Sequence, residues 1–319
     1  MMKINLETYI GKIKLKNPVL AASGTFGHAK EFERFMDLKK LGGIVTKTIT
    51  LKPRLGNPPP RIVETPSGML NAIGLQNPGA DKFIQEKLPF LKTLKIPIIV
   101  SVMGYSVEEF VAVVKLLNQV KGIDGFELNL SCPNVSYKHI NHKVSEDLSA
   151  GAVKMFAHDE SMIREAVHAV RRVTKRTLIT KLGPDVSDIA KMALAAESAG
   201  ADAISLINTF IAMTIDIKMR KPVLANKTGG LSGPCIRPIA VRMVWEVFKK
   251  VKIPVIGIGG IMNGNDALEF LIAGASAIQV GTANFMNPQA SLDILNDLED
   301  FMRKEKIRHL NEIVGSVKG

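Results

Sequence analysis

Apolar residues in this chain recur with two periods, and the periods alternate. Short runs rich in Val, Ile and Leu occupy Val19–Ala22, Gly43–Thr48, Ile96–Val102, Gly125–Leu130, Thr177–Leu182, Ala203–Ile207, Val255–Ile258 and Ala277–Val280. Their length and β-branched content predict buried strands. Most are followed by segments with apolar positions three and four apart, such as Val107–Val120, Ser187–Ala199 and Asn265–Ala273, which predict amphipathic helices. Glycines stand at helix-to-strand joints, in Gly42-Gly43 and at Gly122, Gly200 and Gly274. Eight β-then-α units without a linker predict an α/β fold, a closed (β/α)8 or TIM barrel in one domain over residues 1–319. The segment Ile4–Leu15, split by Gly11, predicts a β-hairpin that caps the bottom of the barrel. Pro53–Pro78, with six prolines, and Val135–His158, with mixed charge, read as long loops over the C-terminal face.

The doubly wound alternative needs G-x-G-x-x-G after its first strand. The nearest approach, Gly257-Ile258-Gly259-Gly260-Ile261-Met262, fails at its last position and lies late in the chain. A nicotinamide site on this chain is not supported.

Composition narrows the class. With 46% hydrophobic and 23% charged residues, neither disorder nor collagen-like order is compatible with the chain. Residues 1–7 hold no apolar run of the kind a secretory signal needs. The longest uncharged stretch, Ala273–Leu292, is broken by Gln279, Asn284, Asn287, Pro288 and Gln289, a poor membrane span. A cytoplasmic protein is expected. Two cysteines, Cys132 and Cys235, are too few for a disulfide framework or a four-cysteine iron–sulfur cluster. The net charge of +12 comes from scattered lysines and arginines, which fits an anionic ligand or acidic partner at least as well as nucleic acid.

Barrels of this kind place their chemistry at the C-terminal ends of strands. Polar residues there are Ser23, Lys47-Thr48, Ser101, Asn129, Lys181 and Asn208-Thr209, with Ser131-Cys132 just beyond the fourth strand. Alternation in Phe126–Leu130 turns Glu127 and Asn129 inward; the same parity aligns Lys47 with Val45 and Lys181 with Ile179. Either lysine alone can snorkel to solvent. Two lysines converging with several asparagines and a thiol point instead to a site for an anion. Gly259-Gly260 ends strand seven and Gly281-Thr282 ends strand eight, where barrels commonly bind phosphate through backbone N–H groups. Gly229–Gly233 reads as a third glycine-rich turn on that wall; tight turns without a ligand are the alternative. Cys132 precedes a proline in a loop position where a thiol can reach a ligand, although a free cysteine is more often a small core residue. Cys235 reads as structural. His139 and His142 have metal-like spacing but no Cys or carboxylate partners, so no metal is expected and the histidines read as surface residues.

Taken in order, the motifs Ala22-Ser23-Gly24-Thr25-Phe26-Gly27, Lys47-Thr48, Gly56–Arg61, Asn71–Asn77, Asn129–Asn134, Ile207-Asn208-Thr209, Gly229–Gly233 and Gly281-Thr282 resemble the dihydroorotate dehydrogenase family over almost the whole chain. Cys132, where membrane-bound members carry serine, resembles the soluble class 1 type; Met69–Gly79 and Ile215–Pro222 resemble class 1B. The resemblance implies FMN-dependent oxidation of dihydroorotate to orotate in pyrimidine synthesis. It also implies a second, electron-transfer subunit that carries FAD and an iron–sulfur cluster and reduces NAD+, around a homodimeric core, with no nucleic acid and no membrane. A fumarate-linked class 1A enzyme and another flavin-dependent dihydropyrimidine dehydrogenase are the competing readings.

The resemblance also implies roles. Gly233, Gly259, Gly260, Gly281 and Thr282 would hold the phosphate and ribityl end of FMN. Ser23, Thr48, Asn129, Lys181 and Ile207 would line its ring, with Lys47 and Ser101 nearby. Asn71, Asn129, Asn134, Asn208 and Thr209 would bind the pyrimidine, and Lys47 with the backbone of Ala72, Ile73, Gly74 and Leu75 its carboxylate. Cys132 would be the base, with Lys181 and Lys47 as its catalytic companions. Ser101 replaces an expected asparagine, Gly183 stands where the family pattern has serine, and the segment after Asn134 is longer and more charged than the family's short lid.

Overall fold

Eight strands close into a parallel barrel: β1 (Val19–Ala21), β2 (Gly43–Val45), β3 (Ile98–Val102), β4 (Gly125–Asn129), β5 (Thr177–Leu182), β6 (Ala203–Leu206), β7 (Val255–Ile258) and β8 (Ala277–Val280). Each pairs with the next, and β8 pairs back to β1 through Ile278↔Val19 and Val280↔Ala21. This computed structural model describes residues 3–131 and 156–318. All eight runs of the sequence are barrel strands, several of them one to three residues shorter than the apolar run. At β2 the regular strand stops at Val45, and Thr46–Thr48 carries Lys47 and Thr48 on into the barrel mouth.

The parity read from the sequence holds. Leu20, Val45, Ile99, Ile179, Ala203, Ile256 and Ala277 form a buried cluster inside the barrel. Ile10, Ile13 and Leu15 join it from an N-terminal hairpin, Thr8–Ile10 paired with Ile13–Leu15, which plugs the bottom as expected. The opposite faces of the strands pack on helices that include Val107–Leu117, Glu160–Arg171, Ile189–Ser198, Arg237–Phe248, Gly264–Ala273 and Ala290–Lys304. Ser106, Asp159, Asp188 and Asn263 cap four of these by accepting backbone N–H bonds in the first turn. Gly274, with φ 118°, ends the helix before β8 in a conformation that favours glycine.

Two expectations need correction. Pro53–Pro78 is not simply a loop: Ile62–Thr65 and Gly68–Asn71 form an antiparallel hairpin within it. Gly229–Gly233 is not a turn either, because Gly229–Ser232 is a strand and only Gly233 turns away, with φ 100°. These segments join Phe210–Ala212 in a four-stranded antiparallel sheet over the barrel mouth, with Gly230 opposite Asn71. Pairing between segments some 160 residues apart leaves no local periodicity to read. Only Phe156–His158, one 3-10 turn, represents the expected Val135–His158 loop among the described residues; Cys132, Asn134, His139 and His142 lie outside them. After β1 the chain makes 3-10 turns at Lys30–Phe32 and Leu38–Lys40 in place of an α-helix. Among the described residues, no helix is long and apolar enough to cross a membrane and no cluster of metal-binding side chains occurs.

Candidate active site

At the C-terminal end of the barrel, under the four-stranded sheet, lies a cleft that opens to solvent. The strand ends supply one wall through Ser23, Lys47, Thr48, Asn129, Lys181 and the Ile207–Thr209 segment. Gly259-Gly260 and Gly281-Thr282 line the cleft from the ends of β7 and β8. The roof is built from Asn71, at the end of the hairpin, and from Ile73, Gly74 and Leu75 just beyond it.

The polar wall is internally tied. Thr48 Oγ1 lies 3.3 Å from Ser23 Oγ and 3.0 Å from Ser101 Oγ, and it accepts from Asn129 Nδ2 at 3.3 Å. Asn208 Nδ2 donates to Asn129 Oδ1 at 3.1 Å and to the Ser131 carbonyl at 3.0 Å. The ends of β1, β2, β3, β4 and β6 are thereby held to one another, which fixes amide and hydroxyl directions before any ligand arrives. Lys181 is buried, its Nζ 3.8 Å from Glu127 Oε1. Glu127 is fully buried, and its other oxygen accepts from Ser205 Oγ at 2.9 Å and Gln279 Nε2 at 2.8 Å. The anionic partner that a buried lysine requires is therefore supplied by the protein itself.

The glycine wall leaves backbone bare toward the cleft. Gly24 has φ 91°, and a Cβ there would meet nothing within 4 Å, so only the absent side chain keeps that space open. At Gly260, φ is 72° and a Cβ would come within 2.7 Å of the Gly233 carbonyl, so no other residue fits. Thr25 Oγ1 is buried at the same wall with no hydrogen-bond partner. Bare backbone and an unpaired hydroxyl on one side, amides, hydroxyls and a lysine on the other, fit an elongated ligand with an anionic tail and a polar ring.

Most residues expected at the site meet in this cleft, but three do not line it. Ser101 is fully buried behind Thr48 and reaches the cleft only through that threonine's hydroxyl. Ala72 is buried, with its N–H donated to the Arg61 carbonyl and its side chain packed on Leu70 and Leu224. Gly233 stands behind the wall, where its carbonyl backs Gly260. Cys235 is exposed, contrary to the structural role expected of it. Met69, Ile62 and Ser232 line the cleft without having been singled out. The alternation of Gly68–Asn71 puts Met69 on the face of Asn71, so the signal existed once that segment was read as a strand. His28, expected at the surface with the other histidines, is buried in the loop after β1, and burial pushes its pKa down to about 4.

The profile of the dihydroorotate dehydrogenase family matches residues 5–302. A relative from Thermodesulfovibrio yellowstonii, named dihydroorotate dehydrogenase B (NAD+), catalytic subunit, is 53% identical over 98% of this chain and 99% of its own. Relatives of the same name from Geotalea daltonii, 50% identical over the full length of both chains, and Caldicellulosiruptor bescii, 50% identical over 98% of this chain and 99% of its own, agree with it. With matches that span the barrel and every wall of its cleft, this chain belongs to the dihydroorotate dehydrogenase family and is similar throughout to its NAD+-linked B-type catalytic subunits.

Proposed function

We propose that this chain is the cytoplasmic catalytic subunit of an NAD+-linked dihydroorotate dehydrogenase, one barrel domain that binds FMN and oxidises dihydroorotate to orotate for pyrimidine synthesis. The observation that carries the reading is the convergence of Lys47, Lys181 and the amides of Asn71, Asn129 and Asn208 on one cleft that is also lined by the glycines at the ends of β7 and β8. FMN, when bound, supplies the acceptor for the hydride that leaves C6 of the substrate. Gly259-Gly260 and Gly281-Thr282 would hold its phosphate end, and Ser23, Thr48, Asn129, Lys181 and Ile207 would hold its ring. Ser101 and Gly233 support those contacts from behind.

Asn71, Asn129, Asn208 and Thr209 orient the pyrimidine: Asn208 donates to Asn129 Oδ1 and accepts from the Thr209 backbone N–H, and Asn71 Nδ2 donates to the Gly230 carbonyl. Asn134 is assigned to the same ring by the resemblance. Lys47 and the backbone at Ile73–Leu75 hold the substrate carboxylate, a charge-assisted pairing of short reach. Cys132 Sγ takes the C5 proton. A thiol with an ordinary pKa near ~8.5 is a few per cent ionised at neutral pH, so turnover rises with pH toward that value. Lys181 places positive charge where negative charge develops, and a fixed charge in a buried setting is worth more in the transition state than before it.

The two cysteines of this chain cannot ligate a four-cysteine cluster, and the chain has no dinucleotide fingerprint, so electrons leave through a second subunit. That subunit carries FAD and an iron–sulfur cluster, around a homodimeric core of catalytic chains. The test is the acceptor profile of the purified polypeptide freed of any co-purifying protein. Dihydroorotate oxidation with artificial acceptors and slow NAD+ reduction is the expected result. Fast NAD+ reduction by this chain alone contradicts the two-subunit reading, and fast fumarate reduction moves the protein to class 1A.

A further inference from the structure

We infer that Glu127, a residue outside the cleft lining, is a positioning residue that sets the electrostatic strength of Lys181. The inference rests on the proposed FMN site. Glu127 is fully buried in the barrel interior, one layer below the cleft and two residues before Asn129 on β4. Its Oε2 is anchored by two donors from across the barrel, Ser205 on β6 and Gln279 on β8. Its Oε1 makes no hydrogen bond and faces the Lys181 ammonium at 3.8 Å, an ion pair without a hydrogen bond. Gln279 Oε1 is buried nearby, likewise without a donor.

A carboxylate with no local charge to balance is too costly to keep inside a barrel. One held by two neutral donors and one ammonium has a defined task. It holds the lysine in place, and its negative charge offsets part of the pull that the ammonium exerts on whatever lies across the cleft. Structural cross-linking of β4, β6 and β8 needs only a polar group at this position, and glutamine satisfies both donors. The negative charge of Glu127 is what the cross-link leaves unexplained. It damps the pull of Lys181 on electrons arriving at the neighbouring ring, and thereby limits how tightly the reduced cofactor holds them before passing them on.

The test is the midpoint potential of bound FMN in the wild-type protein and in Glu127→Gln, by dye-linked anaerobic titration. Glutamine preserves the cross-link and removes the charge, so the potential rises. Loss of one screened charge interaction through the protein corresponds to about tenfold in the reduced-to-oxidised ratio, or about 30 mV for a two-electron couple. An unchanged or lowered potential, with FMN bound, overturns the inference. Failure of the wild-type protein to bind FMN would instead overturn the function proposed above. If Glu127→Gln does not fold, Lys181→Met carries the test. Its buried carboxylate then has no counter-charge, so the variant loses stability relative to wild type as pH rises and the carboxylate is forced to ionise. Parallel pH profiles for the two proteins contradict the pairing.

Discussion

His28 is 7% exposed, its ring centroid lies 5.5 Å from that of Phe83, and its Nδ1 has no hydrogen bond. Burial drives its pKa down from 6.5 to about 4; Lys87 and Lys47 push in the same direction, and Glu31 opposes them. The unfolded chain takes up a proton near 6.5, whereas the folded protein resists until about 4. The stabilising contribution is therefore complete above 6.5 and drains away as pH falls through the window down to about 4. At ~1.4 kcal/mol for each pH unit of difference, the loss saturates near ~3 kcal/mol. His28→Asn removes the titration while keeping a polar side chain of modest size. Urea unfolding of both proteins between about pH 7 and about pH 4.5 isolates the effect, because every other titrating group cancels in the difference. The stability advantage of wild type over His28→Asn should shrink by ~2–3 kcal/mol across that range. Parallel profiles would refute the burial argument. The site is coupled to the outcome, since the Gly27 carbonyl beside His28 accepts the Lys47 backbone N–H at 2.9 Å.

Gly260→Ala, with φ 72° and a carbonyl 2.7 Å from the new Cβ, should destabilise the fold by ~1–3 kcal/mol and weaken FMN binding at least tenfold by equilibrium dialysis. Asn208→Ala releases Asn129 from its 3.1 Å bond; steady-state kinetics should show KM for dihydroorotate raised about tenfold, on the scale of one or two buried hydrogen bonds. Cys132→Ser should retain FMN yet lose most turnover at neutral pH, whereas Cys235→Ser, at an exposed position, should change turnover little when assayed alongside it.

Much of the barrel was legible because both of its periods are local. The parity rule placed Val45, Ile179, Glu127 and Asn129 inside, and the structure puts them there. The mouth was less legible. Ser101 has the right parity and height for the cleft, yet Thr48 covers it, and covering is decided by side chains from neighbouring strands. Ala72 sits between two residues that do line the cleft, and only its bond to Arg61 reveals that its N–H is taken. The roof sheet depends on pairing Gly68–Asn71 with Gly229–Ser232, a contact without local trace. Glu127 was placed inward from the sequence, but its tie to Lys181, Ser205 and Gln279 links four strands and emerges only when the barrel closes.

The central claim, that this cleft joins FMN to dihydroorotate, is tested most directly by anaerobic stopped-flow mixing of the purified chain with (S)-dihydroorotate. The account predicts a yellow protein with one FMN per chain whose flavin absorbance bleaches in a single turnover, faster at higher pH up to the thiol range near ~8.5. A protein that binds no flavin, or one whose bound flavin stays oxidised at saturating dihydroorotate, would contradict it.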